Sequence, residues 1–357
     1  VEFAGIIAEY DPFHNGHAQQ LRMLRAAGVE TIAVCMSNGA VQRGGFPLLP
    51  GPVRVRAALQ AGADIVVALP APYACLGAEG FAAAGVELLT ALGCDVLAFG
   101  AEDPDADRLM QAAQLVDSKE LSHLLPRFLG QGKPFAAARA AAAEALQPGM
   151  EQLLSQPNNI LGVEYCKAIL RQGSHMRPFP LPRLAAGHNT GQTGTVQGRK
   201  VASASYLREL TWSAGLESAL EYVPGPAERG ELLDTDKFSV AVLSRLRGCS
   251  REQLACIRGL SEGLENRLYS AIRQAGSTGE LYTMLKTKRY PHARLRRLVL
   301  DAALAVTPDR VPETPPFLHV LGARRDSLSV LRYAGLPAAT SLSDLARTSP
   351  QAKQGAE

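Results

Sequence analysis

The sequence predicts an α/β fold, a Rossmann-like parallel sheet with a C-terminal all-helical domain. Three observations carry this. Short apolar runs rich in Val and Ile alternate with longer segments of helical period through the first hundred residues. From about residue 216 onward the pattern turns to consecutive short helices. A chain of 357 residues that is 46% hydrophobic can also bury two cores.

The strand candidates are 3–8, 31–36, 64–69 and 95–99, each short and apolar enough to be covered on both faces. Helical segments at 17–27, 53–61 and 80–92 lie between them and are closed by Gly28, Gly62 and Gly93. This β-α-β-α rhythm means a doubly wound sheet. The middle section, 104–173, reads as mostly helical, with the alanine-dense "FAAARAAAAEAL" favoured by propensity alone. "MRPFPLPRLAAG" is too rich in proline for a helix and suits an edge strand near 181–185. "SASYLREL" at 203–210 starts as a capped helix. Short helices are then expected at 236–248, 250–259, 263–275, 278–286 and 291–306. The domain organisation that follows is a catalytic domain over 1–215, a helical domain over 216–345 and a disordered tail over 346–357.

Bulk properties narrow the function. No apolar run reaches the roughly 18 residues that span a bilayer, and the first residues lack the basic flank and cleavage site of a secretory signal, which points to the cytoplasm and to no membrane partner. The six cysteines form no C-x-x-C pair and have no His partners at ligand spacing, so no metal site is expected and the thiols are read as small core residues. A net charge of +3 is too small to identify a polyanionic partner by itself.

The chemistry concentrates in "EYDPFHNGHA", residues 9–18. It places His14 and His17 around Asn15 and Gly16, where the first strand ends and the first helix begins. Ligands of parallel sheets bind at that carboxyl edge. Gly16 lets backbone and ligand come close, and the helix N-terminus favours a phosphate. Two imidazoles three residues apart can donate to charge developing on an α-phosphate as pyrophosphate departs. Adenylyl or nucleotidyl transfer is therefore the expected reaction.

"EYDPFHNGH" resembles the His-x-Gly-His signature of the nucleotidyltransferase superfamily. The surrounding sequence is more specifically similar to the bacterial tRNA(Met) cytidine acetate ligase family. "MSNGAVQRG", "GADIVVALP", "LAFGAED", "PNNILGVEY", "GLENRL" and "LKTKRYPHARLRRL" carry the resemblance along the chain. It implies an enzyme that activates acetate with ATP as acetyl-adenylate and acetylates the wobble cytidine of elongator tRNA(Met). Magnesium would accompany ATP as its complex. The ATP site implied comprises Ile7, Ala8, Glu9, Tyr10, Asp11, Pro12, Phe13, His14, Asn15, Gly16, His17, Ala18, Gln19 and Gln20. Gly100, Asn158 or Asn159, and Arg183 complete it, with His14 and His17 as the catalytic pair. Gln42 and Arg43, in a glycine-rich loop after the second strand, are further candidates at the same edge, and "SASYLR" resembles the Ser/Thr-rich motif ending in Arg that many nucleotidyltransferases use on phosphates, which adds Ser203, Ser205 and Arg208. Two positions depart from the family pattern: Asp11 stands where asparagine is expected, and no lysine lies near Gly51, although Arg54 is kept.

The basic segment "KTKRYPHARLRR" supplies candidate tRNA contacts at Lys286, Lys288, Arg289, Tyr290, Arg294 and Arg297. Its helix has the apolar stripe Leu295, Leu298, Val299 and Ala302, which leaves Arg294 and Arg297 off the core face. Two alternatives share parts of this pattern: a small-molecule nucleotidyltransferase of cofactor biosynthesis, and a non-catalytic RNA-binding protein. The sequence leaves the oligomeric state open.

Overall fold

Residues 2–183, 193–224, 232–261, 263–287 and 290–356 are described by the computed structural model. Strand β1 (Glu2–Ala8) leads through a short loop into helix α1 (Asn15–Ala26), whose Ala18, Leu21 and Leu24 bury one helix face against the sheet. There follow β2 (Val29–Ser37), α2 (Gly51–Gln60), β3 (Ile65–Leu69), the single turn α3 (Ala71–Ala74), α4 (Ala78–Leu92) and β4 (Val96–Ala101). Every strand and helix expected in this stretch lies within two residues of its expected bounds.

The middle section is helical as read: α5 (Ala106–Val116), α6 (Lys119–Leu129), α7 (Phe135–Leu146), α8 (Met150–Leu154) and α9 (Pro157–Gln172). Edge strand β5 (Arg177–Pro182) begins earlier than its expected position at 181–185, and residues from 184 lie outside the described set. Its geometry explains why three prolines are tolerated. The N–H groups of Arg177 and Arg183 bond to Asp95 and Ala101 on the β4 side, so the alternate positions occupied by Pro178, Pro180 and Pro182 face the open edge, where no donor is needed.

A hairpin that the sequence pattern did not announce, β6 (Thr193–Val196) with β7 (Arg199–Ala202), precedes α10 (Ala204–Ala214). Then come α11 (Thr235–Arg247), α12 (Arg251–Ala255), α13 (Leu264–Ala271), α14 (Thr278–Leu285) and α15 (His292–Ala303). Their inward faces share a core that includes Leu246, Leu254, Leu268, Leu281 and Leu295.

Two expectations are corrected beyond that point. The span 216–345 is not all-helical, because β8 (Leu318–Ala323) returns to pair antiparallel with β3, and β9 (Ala338–Ala339) pairs with β8. Leu318 and Val320 are buried there and cover an edge that β3 would otherwise expose. After α16 (Leu342–Leu345), the stretch read as a disordered tail carries α17 (Pro350–Ala356), held by Ala352 against Phe317 and Leu345.

The seven-stranded sheet has the order β5-β4-β1-β2-β3-β8-β9, parallel except for the β3–β8 pair. One face packs under α4, α5 and α9 through Ile7, Cys35, Val67, Leu97 and Phe99; the other packs under α1 and α2 through Ala4, Ile6, Val34, Val66 and Ala98. Chain order reverses between β1 and β4. A crevice opens outside the strand ends at that point, where doubly wound sheets bind ligands.

Candidate active site

The loop from β1 to α1 is shaped by its own histidines. His14 is the N-cap of α1, and its Nδ1 accepts the Gly16 N–H at 3.1 Å. The Nδ1 of His17 accepts the His14 N–H at 3.3 Å, so the two rings form a reciprocal capping box. They stack with centroids 3.7 Å apart. The spacing expected to aim two imidazoles at one ligand therefore also closes the helix end. Gly16 is required by this arrangement rather than by the ligand: a Cβ there would lie 2.9 Å from His14 Cε1.

A ring nitrogen that accepts a hydrogen bond carries no proton. Each neutral imidazole thus holds its proton on Nε2, which leaves two N–H donors for a ligand. Burial lowers the His14 pKa to about 3, with Arg183 and Arg208 adding to the effect. Burial, the His14 ring and Arg183 lower His17 in the same way. Both rings are neutral near pH 7, and positive charge at this end of the crevice comes from guanidinium groups.

The carboxylate of Asp11, expected from the sequence to be a departure from the family pattern, is fully engaged. It is buried, accepts the Leu48 N–H at 2.6 Å on Oδ1, and pairs through Oδ2 with Arg43. Arg208 donates to the Asp11 carbonyl at 2.7 Å and to Ser205 Oγ at 2.9 Å. Arg54, completely buried, donates to the carbonyls of Glu9, Ser37, Asn38 and Leu49 and so ties together the loops after β1 and β2.

These groups surround a cavity of about 440 Å³. Of the expected site residues, Ile7, Ala8, Glu9, Tyr10, Asp11, His14, Gly16, His17, Gln20, Gly100, Asn158 and Arg183 line it. Gln42, Arg43, Ser203, Ser205 and Arg208 line it too.

The structure places the remaining expected residues elsewhere. Pro12, Phe13, Ala18 and Gln19 are buried beside the loop, outside the lining. Asn15 donates to the Lys200 and Glu221 carbonyls and anchors the β6–β7 hairpin. Asn159 is buried and accepts the N–H groups of Glu102 and Asp103, both at 3.0 Å, so it pins the turn after β4. Its neighbour Asn158 is the one of the pair that faces the cavity.

Sequence reading missed the apolar wall of Phe81, Phe99, Leu161 and Tyr165 and the hairpin residues Val201 and Ala202. Part of that wall has a signal in hindsight. Asn158, Leu161 and Tyr165 fall on one helical face of α9 at i, i+3 and i+7.

The basic segment divides. Lys286 and Arg294 are exposed, and the Arg294 guanidinium sits 4.7 Å from the Tyr290 ring centroid, so that ring already carries a cation. Arg297, expected at an RNA surface, is half-buried and donates to the Gln42 carbonyl at 3.0 Å. Lys288 and Arg289 lie outside the described residues.

Comparison with known proteins matches this architecture. The model of the HIGH Nucleotidyl Transferase family covers residues 1–353. The tRNA(Met) cytidine acetate ligase of Latilactobacillus sakei is 36% identical over 314 residues, which is 86% of this chain and 78% of the relative. That of Syntrophotalea carbinolica is 34% identical over 362 residues, 95% and 84% of the two chains. Thermotoga maritima TmcAL, crystallised with alpha-thio ATP, superposes with a TM-score of 0.85 at 27% identity, covering 98% of this chain and 88% of that one. With its His-x-Gly-His loop at the switch point of a parallel sheet and this likeness along nearly its whole length, the chain belongs to the HIGH nucleotidyl transferases and, among them, to the tRNA(Met) cytidine acetate ligase family.

Proposed function

We propose that this chain activates acetate with ATP and transfers the acetyl group to the N4 amine of the wobble cytidine of elongator tRNA(Met). The carrying observation is the pair of neutral Nε2–H donors of His14 and His17, set beside Arg183 and Arg208 in a cavity of about 440 Å³. A carboxylate oxygen of acetate attacks the α-phosphorus, and the bond to pyrophosphate breaks. Charge gathers on the phosphoryl oxygens in that transition state, where fixed donors act without reorganisation. The cytidine amine then attacks the acyl carbon, AMP leaves, and the amine loses a proton.

The adenosine lies against Phe99, Leu161 and Tyr165, with Gly100 and Asn158 beside it, and the phosphates extend toward the histidines and Arg43. Magnesium enters with the triphosphate. The acidic side chains that line the cavity, Glu9 and Asp11, already accept the N–H groups of Gln42 and Leu48, and the ion would supply charge neutralisation on the phosphates. The helical region presents Lys286 and Arg294, with Tyr290, to the tRNA.

Pyrophosphate release from ATP, measured with acetate and with or without tRNA, tests this reading. Release that requires acetate, N4-acetylcytidine in tRNA(Met), and loss of both in His17→Ala are expected. Intact ATP in the presence of acetate and tRNA would overturn it.

A further inference from the structure

The loop that carries Arg43 is held from two directions. On the cavity side, Glu9 Oε1 accepts the Gln42 N–H at 2.6 Å, and Asp11 pairs with Arg43. On the outer side, helix α15 grips the same turn: Arg297 Nη1 donates to the Gln42 carbonyl at 3.0 Å and Arg296 Nε to the Gly44 carbonyl at 3.1 Å. The turn is tight, with Gly44 N–H bonded to the Val41 carbonyl and Val41 paired with Gly45. Gly44 has φ +79°, and a Cβ there would lie 2.4 Å from the Arg297 backbone nitrogen. The two backbone groups of Gln42 are therefore fixed from opposite sides, its N–H by the catalytic domain and its carbonyl, in the peptide plane shared with Arg43, by the helical region. Arg43 is the next side chain.

We propose that Arg296 and Arg297 are positioning residues of the ATP site, which hold the 41–45 turn so that Arg43 is presented to the triphosphate. This rests on the function proposed above for the ATP site, and it removes Arg297 from the RNA-contacting set. Arg297 is half-buried and turns one guanidinium N–H to a protein carbonyl, and the Arg296 guanidinium lies over the Tyr282 ring at 5.5 Å. Leu295, Leu298 and Val299 lock α15 into the helical core, so the grip is as rigid as that core.

The test is calorimetric titration of the full chain with ATP, without acetate or tRNA. Arg43→Met is expected to weaken binding roughly tenfold, the scale of one charge-assisted hydrogen bond. Arg297→Met is expected to weaken it about threefold or more, and Arg297→Lys, which can still offer one donor to Gln42, to recover most of that loss. Because Arg297 acts through Arg43, adding Arg297→Met to Arg43→Met costs nothing further. Arg273→Met removes the same charge from an exposed site in the turn after α13 and leaves ATP affinity unchanged. Gly44→Ala disturbs the contact from the loop side and repeats the Arg297→Met effect should that variant not fold.

Wild-type affinity in both the Arg297→Met and Gly44→Ala variants, or additive losses in the double variant, would overturn the proposal. The pattern among variants is independent of acetate. Loss of acetate-dependent turnover with this pattern intact counts against the proposed reaction alone, whereas absence of ATP binding by the wild type removes both.

Discussion

Asp11 and Arg43, 32 residues apart in sequence, form an ion pair at the edge of the cavity, with the Asp11 carboxylate buried and its second oxygen capped by the Leu48 N–H. In the proposed ATP site, the pair explains how a carboxylate is tolerated in the loop that receives the triphosphate. Its charge is compensated before the ligand arrives. It also divides the attention of Arg43 between the protein and the ligand.

Asp11→Asn keeps an acceptor for Leu48 and removes the competing charge. ATP is expected to bind about threefold to tenfold more tightly, since each tenfold step is about 1.4 kcal/mol and one unscreened charge is of that order near a surface. Asp11→Ala also orphans the buried Leu48 N–H and should cost about 1–3 kcal/mol of stability. Titration with ATP and a urea midpoint on both variants check this, and weaker ATP binding in Asp11→Asn would show that Asp11 orients Arg43 instead of competing for it.

Cap and catalysis can be separated at His14. Asparagine is a strong N-cap, so His14→Asn should stay within about 1 kcal/mol of wild-type stability, whereas His14→Ala loses about that much. Neither keeps the Nε2–H donor. Both should release pyrophosphate about a hundredfold more slowly or worse, the usual loss for one transition-state donor. A His14→Asn enzyme retaining more than about a tenth of the activity contradicts the assignment of that donor.

The depressed pKa values of His14 and His17 carry a sign. In the folded chain both rings stay neutral down to acid pH, His14 to about 3, while the unfolded chain protonates them near 6.5. Their contribution is therefore complete above pH 6.5 and is lost as pH falls from 6.5 toward 3, at up to about 1.4 kcal/mol per pH unit for each ring. Urea midpoints of the ligand-free wild type should fall more steeply over that window than those of a His14→Asn/His17→Gln double variant. Parallel curves would mean that the rings titrate normally.

How much of this was legible in the sequence depended on how local each feature is. The first four strands and three helices follow from apolar period, and the histidine tetrad follows from rare residues set at a strand-to-helix junction. Reciprocal capping was within reach of the same stretch but was hidden behind its expected catalytic role. Arg297 shows the limit of periodicity, which places a side chain off the core face without saying what covers it. Strand β8 was missed because Leu318–Ala323 is only six residues long and alternates buried and half-buried residues over its first four positions alone, after a long helical series. Its pairing with β3 bridges some 250 residues. The Asp11–Arg43 pair likewise exists only once the loops after β1 and β2 are brought side by side by Arg54.

Gly162 offers the sharpest test of where the base lies. On α9 it passes over Phe99, and an added Cβ would sit 2.7 Å from Phe99 Cε2. The ring must move, and Tyr165, with its centroid 5.4 Å from that of Phe99, restricts where it can go. Alanine favours the helix by about 1 kcal/mol over glycine, which offsets part of the roughly 1–3 kcal/mol of overpacking, so Gly162→Ala should still fold. Displacement of the Phe99 wall into the cavity should raise KM for ATP severalfold with kcat nearly unchanged, the signature of lost uniform binding. Adding Phe99→Leu makes room for the new methyl and should restore KM in part. Unchanged KM in Gly162→Ala, or a fall confined to kcat, would place the adenosine away from this wall.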